Sequence, residues 1–228
     1  MVTKPHKGAT LAIQPRIRKG AFFDASWRHG CRKFSVYNRT YISSTFSDPT
    51  AEYWNVTKNV AIWPVMGERQ IEIRGKDAAK FVQFLTSRDM SKCAVNQCKY
   101  ALITDQSGGI VCDPIILKLA HDRFWLSTSD CDLELWAKGV AVNAPFKDVA
   151  ISDANVSVVQ IQGPKSPNLV HDMFGDDVLD LKYYWHKTVI FQGNELQISR
   201  TGWSGEFGYE LYLEDHEQGD ALFDALLD

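Results

Sequence analysis

The sequence of 228 residues lacks several features that would place it in a familiar class. No apolar run approaches the roughly 20 residues that a membrane-spanning helix needs, so no membrane partner is predicted. The first six residues carry positive charge without an apolar run behind them, and we expect no secretory signal there. No Walker loop, GxGxxG fingerprint, GxSxG elbow or HExxH motif is present, which argues against the nucleotide, serine-hydrolase and zinc-peptidase chemistries that these motifs mark.

Cysteine is too sparse and too scattered for a disulfide framework, which would show an even number at tight spacings. Four residues separate the closest pair, Cys93 and Cys98, and no histidine pair lies nearby, so no metal site is predicted. We therefore expect reduced thiols and a cytoplasmic location. The five cysteines are Cys31, Cys93, Cys98, Cys112 and Cys131.

The composition fits a soluble globular protein of one or two domains, because 45% of the residues are apolar and the net charge is only −3. Charge is uneven: residues 1–39 hold nine Lys or Arg against Asp24 alone, and the remainder holds 16 basic and 27 acidic residues. The aromatic residues follow no nucleic-acid-binding pattern and the acidic body would repel phosphate, so no nucleic acid partner is predicted. The basic arm is either a solvated leader or a positive lip for a small carboxylate ligand.

An internal repeat is the most informative feature of the organisation. An alternating strand leads into Gly75, and a second one leads into Gly163. After each glycine, apolar residues recur six, seven and ten positions later, which is typical of a strand that passes through a tight turn into a helix. The sequence therefore contains two similar strand–helix units.

Further strands follow each predicted helix, over 99–104, 110–119 and 124–128 in the first unit and 187–191, 195–201 and 208–214 in the second. Strands that are segregated from helices favour an α+β fold with antiparallel or mixed sheets over a doubly wound one. We predict a packing segment at 1–67, a first αβ subdomain at 68–154 and a second at 155–228, together forming one binding region. An amphipathic helix at 217–227 ends without a cap at Asp228, so we expect an N-terminal portion of a longer protein.

Asp113 is the first candidate for chemistry, since it interrupts an apolar strand just after a glycine turn. A carboxylate buried there without a partner would cost several kcal/mol, so it should face a cavity or a partner. Pro114 removes a ladder donor and predicts a local irregularity in the strand. The alternative is an edge-strand aspartate that caps the turn.

A glycine-rich segment at 200–210 is the second candidate. Its glycines allow close approach of the backbone, Trp203 offers a flat face, and the Glu210 carboxylate could accept two parallel N–H bonds from a guanidine-like edge such as that of a pterin. A packed hairpin explains the same pattern. In the nearby run Tyr183-Tyr184-Trp185, consecutive side chains point to opposite faces, so at most one face can serve a ligand.

These segments together resemble the folate-binding part of the glycine-cleavage T-protein (aminomethyltransferase) family. Residues 108–113 are similar to its Gly-Gly-Ile-hydrophobic-Asp-Asp turn, residues 200–210 to its Arg-Thr-Gly-Tyr-Thr-Gly-Glu-Asp-Gly-Phe-Glu hairpin, and residues 161–165 to its Gln-Gly-Pro turn. The resemblance covers about residues 55–228. It implies a duplicated αβ fold of the aminomethyltransferase type, without the family's C-terminal barrel and without the arginines that the family supplies from beyond residue 228.

Within the family, the chain looks closest to the dimethylsulfoniopropionate demethylase branch. The segments that carry this likeness are 34–38, 68–70, 88–90, 96–100, 113–114, 183–185 and 201–203. The chain departs from the T-protein proper at 64–68, at Cys112, where that protein has a second aspartate, and at Trp203, where it has a tyrosine. These departures weigh against glycine-cleavage activity.

The resemblance implies a transferase that uses tetrahydrofolate as acceptor and a small-molecule methyl donor. Asp113 matches the family's carboxylate beside the reacting folate nitrogens, and Glu210 matches the residue that binds the pterin edge. Tyr100, Tyr183, Tyr184 and Trp203 match wall positions of the folate site. Donor-side contacts are expected from Trp203 and Tyr37, and from Trp27 and Trp63. The alternatives are an aminomethyltransferase with a lipoyl carrier partner, an aryl methyl ether demethylase, and a non-catalytic folate-binding regulator.

Overall fold

The computed structural model describes residues 15–228, which form two five-stranded antiparallel sheets, two hairpins and six α-helices. The α+β class with antiparallel sheets, predicted from the segregated strands, is confirmed. The helices are α1 Phe23–Arg28, α2 Pro49–Lys58, α3 Ala78–Leu85, α4 Leu133–Asn143, α5 Ser166–Phe174 and α6 Gly219–Leu227. The strands are β1 Lys33–Tyr37, β2 Thr40–Thr45, β3 Ala61–Pro64, β4 Gln70–Arg74, β5 Cys98–Tyr100, β6 Ile103–Thr104, β7 Ile110–Cys112, β8 Ile115–Ala120, β9 Arg123–Ser127, β10 Ala150–Asp153, β11 Ser157–Gln162, β12 His186–Phe191, β13 Asn194–Ser199 and β14 Gly208–Leu213.

The two large sheets have the same strand order, as the sequence repeat predicts. The first reads β10-β4-β9-β8-β5 and the second reads β3-β11-β14-β13-β12. In each unit the first strand turns at a glycine with a left-handed φ, +124° at Gly75 and +125° at Gly163, before its helix begins. A side chain at either glycine would collide with backbone carbonyl oxygens, so both turns require glycine.

Each large sheet takes one edge strand from the segment that precedes the other unit. Strand β3 comes just before β4 in the chain but pairs with β11 of the second sheet, and β10 comes just before β11 but pairs with β4 of the first sheet. The exchange ties the two sheets together through backbone hydrogen bonds at both edges. Backbone pairing therefore links the two units directly.

Side chains alternate between two cores along the central strands. On β14, Leu211 and Leu213 join the core that covers the second sheet with α1, α5 and α6, whereas Tyr212 points the other way. Tyr212 meets Trp125 of the first sheet, with ring centroids 6.1 Å apart, in a small cluster between the sheets. Polar residues on this inner face of β11 and β14 therefore lie between the two units.

The predicted irregularity at Asp113 and Pro114 is present. The expected single strand over 110–119 divides there into β7 and β8, which pair with different partners: β7 with β6, and β8 with β5 and β9. The break turns the Asp113 side chain out of the ladder and leaves it half-buried.

Three of the seven described basic residues of the arm form ion pairs with the acidic body. Arg18 forms an ion pair with Asp153 at 2.7 Å, Arg28 pairs with two aspartates of α6, and Arg39 pairs with Asp132 at 3.0 Å. Lys4 and Lys7 of the arm lie outside the described residues. No helix within residues 15–228 combines the length and the apolar character needed to cross a membrane.

Candidate active site

A cavity of about 240 Å³ opens between the two sheets and brings most of the predicted residues together. Asp113 enters it from the first unit and Glu210 from the second, so the two acidic side chains face one hollow rather than separate compartments. We call this hollow the acceptor cavity, after the folate acceptor that the resemblance leads us to expect. Its lining residues are Tyr37, Glu68, Tyr100, Asp113, Ile115, Ser127, Thr128, Ser129, Gln160, Tyr184, Gly202, Trp203 and Glu210.

Glu210 is buried on the inner face of β14, and both oxygens of its carboxylate accept hydrogen bonds from side chains. Gln160 Nε2 donates to Oε1 at 2.7 Å, while Oε2 accepts from the hydroxyl of Tyr212 at 3.0 Å and from that of Thr201. The strand alternation that buries Tyr212 also places Glu210 here. These contacts fix the carboxylate as a rigid hydrogen-bond acceptor on the wall of the cavity.

Asp113 stands at the break between β7 and β8, where it accepts a hydrogen bond of 3.1 Å from the hydroxyl of Tyr100. Burial and this bond to the aspartate together raise the pKa of Tyr100, which keeps the phenol protonated as the donor. The pair presents one carboxylate oxygen with a fixed direction. Such a group can accept a proton from an amine in the cavity.

A second cavity, of about 390 Å³, adjoins the first and shares four of its residues: Tyr37, Glu68, Gln160 and Trp203. We call it the donor cavity, after the methyl donor that the resemblance leads us to expect. Many of its lining residues are aromatic or aliphatic. Among the described residues that line it, the only acidic ones are glutamates, and none is basic. The remaining lining residues are Ile42, Ser43, Ser44, Thr45, Phe46, Glu52, Trp63, Pro64 and Val65.

The shared boundary between the cavities is built around Gln160, which is 1% exposed. Its amide nitrogen donates to Glu210 and, at 3.4 Å, to Glu68 Oε1. Its carbonyl oxygen has no hydrogen-bond partner within residues 15–228. Because a buried acceptor without a partner costs free energy, this oxygen marks a position for a ligand donor.

Burial and the charge of Glu210 raise the pKa of Glu68 well above its usual range. Burial, followed by the charge of Glu68, raises the pKa of Tyr37 to about 12. At neutral pH the boundary therefore holds a protonated phenol at Tyr37 and a carboxyl group at Glu68 that resists ionisation. At this pH the phenol would be neutral in water as well, so Glu68 is the group of the two whose ionisation the site shifts.

The tyrosines and tryptophans expected at the site do not all line the same cavity. Tyr184 lines the acceptor cavity, whereas Tyr183 points away, 66% exposed, into a shallow depression beside Arg200. Trp203 lines both cavities but is 84% exposed, so its indole forms the rim. Trp63, one of the expected donor-side residues, lines the donor cavity, whereas Trp27 packs on Phe34 and lines neither cavity.

Residues 19–228 match the family model of the GCVT N-terminal domain. The chain belongs to this family. The resemblance inferred from the residue motifs is thus confirmed, and it covers almost the whole chain.

Two relatives with different names are similar in sequence to this GCVT N-terminal domain. It is 36% identical to the dimethylsulfoniopropionate demethylase of Ruegeria pomeroyi over 218 aligned residues. The alignment covers 96% of this chain and 60% of the relative. It is 33% identical to an aminomethyltransferase of Alkaliphilus oremlandii over 217 aligned residues. The alignment covers 93% of this chain and 58% of the relative. The chain therefore spans about three-fifths of the length of these relatives.

A solved structure confirms the predicted type of fold. The glycine cleavage system aminomethyltransferase T of Bartonella henselae superposes with a TM-score of 0.79 at 20% sequence identity, over 92% of this chain and 57% of that one. The agreement is one of architecture. It supports the duplicated αβ arrangement described above.

Sequence reasoning missed Gln160 and Glu68 as site residues of this GCVT N-terminal domain. Gln160 lies in a strand, 157–162, whose neighbours in the sequence are mostly apolar. The reasoning that selected Asp113, a polar side chain in an apolar strand, applies equally to Gln160. Glu68 precedes β4 in a polar run, and nothing in the local pattern shows that it folds back against Glu210.

We expect Glu68→Gln to stabilise the fold at neutral pH by about 1 kcal/mol. The pKa of Glu68 is raised on folding, so above an unfolded-state pKa of about 4.3 the folded chain holds more protons than the unfolded one. The free energy of unfolding then falls as pH rises through this window. Glutamine escapes that loss. Urea unfolding should show little advantage for the variant near about pH 4 and a clear one near about pH 8. An equal advantage at both pH values would contradict the assignment.

Proposed function

We propose that the protein transfers a methyl group from a sulfonium donor, dimethylsulfoniopropionate, to tetrahydrofolate. The observation that carries the proposal is the pair of adjoining cavities. One presents Asp113 and Glu210, and the other has aromatic side chains and acidic residues but no basic residue in its described lining. The sequence likeness to a dimethylsulfoniopropionate demethylase supports the choice of donor. We further propose a cytoplasmic location, which the five free thiols support.

The residues of the acceptor cavity suit a reduced pterin. Glu210 and the unpartnered carbonyl oxygen of Gln160 are buried acceptors, and the N3–H and 2-amino groups of a pterin are donors on one edge. Tyr184 and Trp203 supply ring faces for a flat heterocycle. Tetrahydrofolate would supply a nucleophilic amine nitrogen, N5.

The reaction needs alignment and a place for one proton. As the new N–C bond forms, the C–S bond breaks and its electron pair stays on sulfur, which leaves as a neutral thioether. Asp113 accepts the proton that the amine loses, and Tyr100 holds the carboxylate in place. The donor is already activated by its positive charge, so holding the two partners in line and excluding water provides most of the acceleration.

A donor panel tests the proposal. The 228-residue chain would be incubated with tetrahydrofolate and, separately, dimethylsulfoniopropionate, an aminomethyl-lipoyl carrier protein and an aryl methyl ether. Chromatography of the folate products measures the transfer. We expect 5-methyltetrahydrofolate with the sulfonium alone. Transfer from the lipoyl carrier would favour the aminomethyltransferase alternative, for which the 33% identity to such an enzyme is the specific support. Folate binding without any transfer would favour a non-catalytic regulator.

Trp203 at the rim should contribute to the donor step. A tryptophan face attracts a sulfonium by roughly 0.5–2 kcal/mol, so Trp203→Leu should lower kcat/KM for dimethylsulfoniopropionate by about 2- to 30-fold. Trp54→Leu is the matched control, because Trp54 is half exposed on α2 and lines neither cavity. Equal effects of the two substitutions would remove Trp203 from the donor site.

A further inference from the structure

Within residues 15–228, the donor cavity is lined by acidic side chains and by no basic one. Its described lining includes Glu52 and Glu68 and no lysine, arginine or histidine, and the same holds for the adjoining acceptor cavity with Asp113 and Glu210. The rings of Tyr37, Trp63 and Trp203 complete the walls. Aromatic faces combined with negative charge favour a cationic ligand and disfavour an anionic one.

The two glutamates of the donor cavity differ in what their carboxyl groups already do. Glu52 accepts hydrogen bonds from Thr45 Oγ1 at 3.0 Å, from Phe46 N at 2.8 Å and from both the backbone and the hydroxyl of Ser47. From the described residues, Glu68 receives only the 3.4 Å contact from Gln160 on its carboxyl group. Glu52 is therefore structural, holding the turn before α2, whereas Glu68 is left for a ligand.

Two further polar atoms at this cavity lack partners within the described chain. The carbonyl oxygen of Gln160 lies at the boundary beside Glu68, and the hydroxyl of Ser43 lies elsewhere on the cavity lining. Both atoms are buried. Because the Gln160 oxygen is already assigned to the pterin edge, the Ser43 hydroxyl is the atom left for the donor. A carboxyl group and a separate hydroxyl donor match a small molecule with a positive end and a polar or negative end.

We propose that Glu68 is the specificity-determining residue of the donor cavity, selecting a one-carbon donor that carries a positive charge and releasing its own proton as that donor binds. The inference rests on the proposed function in taking this cavity as the donor site, and it assigns to Glu68 the discrimination between charged and uncharged donors. The carboxyl O–H bond breaks, the proton passes to solvent, and the resulting carboxylate faces the donor's cation.

The neighbours of Glu68 explain why its carboxyl group resists ionisation in the free protein. Glu210 and Tyr212 face it from β14, Tyr37 faces it from β1, and Gln160 faces it from β11. The phenols are neutral and the amide is uncharged, so Glu210 is the one charged neighbour and it repels a second negative charge. A bound cation supplies the opposite charge that the empty cavity lacks.

Equilibrium binding to the 228-residue chain tests the inference without turnover. The two probes are dimethylsulfoniopropionate and 4-methylpentanoate, which has the same shape with a neutral carbon in place of the sulfonium sulfur. Titration calorimetry should show at least about tenfold tighter binding of the sulfonium near about pH 8, and a preference that shrinks as pH falls and Glu68 holds its proton more firmly. Repeating the titration in buffers of different ionisation enthalpy should show a net release of protons with the sulfonium and none with its carbon analogue.

Glu68→Gln should bind both probes with similar affinity and without pH dependence. Glu214→Gln is the control, because Glu214 is exposed and lines neither cavity, and it should keep the pH-dependent preference. A glutamine variant at 68 that still prefers the sulfonium, or a wild-type chain that releases no proton or does not bind the sulfonium, would overturn the inference. The wild-type proton count stands even if the variant does not fold.

The outcome is separable from that of the donor panel. Binding of the sulfonium that depends on Glu68, in a chain that forms no methyl-folate, would refute the proposed function and leave the selectivity of Glu68 in place. Methyl transfer together with an unchanged preference in Glu68→Gln would refute only the inference about Glu68.

Discussion

Glu210→Gln should weaken binding of tetrahydrofolate by about 30-fold or more, because removing one partner of a buried, charge-assisted hydrogen-bond pair typically costs 2–5 kcal/mol. In the protein, Gln160 Nε2 and the hydroxyls of Tyr212 and Thr201 hold the carboxylate on the cavity wall. Glutamine keeps the shape of the side chain but replaces one acceptor oxygen with a donor. That donor would oppose the N–H groups of the pterin edge.

Fluorescence titration with tetrahydrofolate measures the loss, and far-ultraviolet circular dichroism shows whether the fold is kept. Glu214→Gln is the matched control, since Glu214 is an exposed glutamate just beyond the end of the same strand. A well-folded Glu210→Gln variant with wild-type affinity for folate would show that the pterin edge lies elsewhere.

Asp113→Asn should lower the rate of methyl transfer by about 10²- to 10⁴-fold, the range that a positioned acid–base group contributes. Asparagine keeps the hydrogen bond to Tyr100 within reach but cannot accept the proton of the folate amine. The dissociation constant of folate should change much less than the rate. Single-turnover measurements separate the two quantities.

The control for Asp113 is Asp122→Asn, an exposed aspartate in the turn between β8 and β9. Tyr100→Phe should fall between the two, because it removes the bond that orients the carboxylate and leaves the carboxylate itself. Transfer at the wild-type rate in Asp113→Asn would remove this residue from the chemistry.

The parts of the fold that are visible in the sequence are the local ones. The turns at Gly75 and Gly163 could be predicted because strand alternation, a glycine and helical spacing all lie within about 15 residues of chain. The break at Asp113 and Pro114 followed from a missing ladder donor. The exchange of β3 and β10 between the sheets could not be predicted, because short strands carry no local signal that identifies their partner.

The same distinction holds for the site. Asp113 was visible because a carboxylate interrupts an apolar strand, and Glu210 because it ends a long hairpin motif. Their meeting in one cavity is a product of the packing of two units whose residues are almost 100 positions apart. Glu68 joins them because the turn before β4 folds against the inner face of β14. Tyr183 is left out because, in the turn before β12, Tyr184 rather than Tyr183 faces the cavity. Positions set by tertiary packing of this kind leave little trace in the local sequence.

A crystal structure of the 228-residue chain with 5-methyltetrahydrofolate would test the central claim most directly. We expect the amino-pyrimidine edge against Glu210 and Gln160, the N5 side toward Asp113, and the methyl group directed at the boundary with the donor cavity. A folate bound outside the space between the sheets, or one whose pterin contacts neither Asp113 nor Glu210, would contradict it.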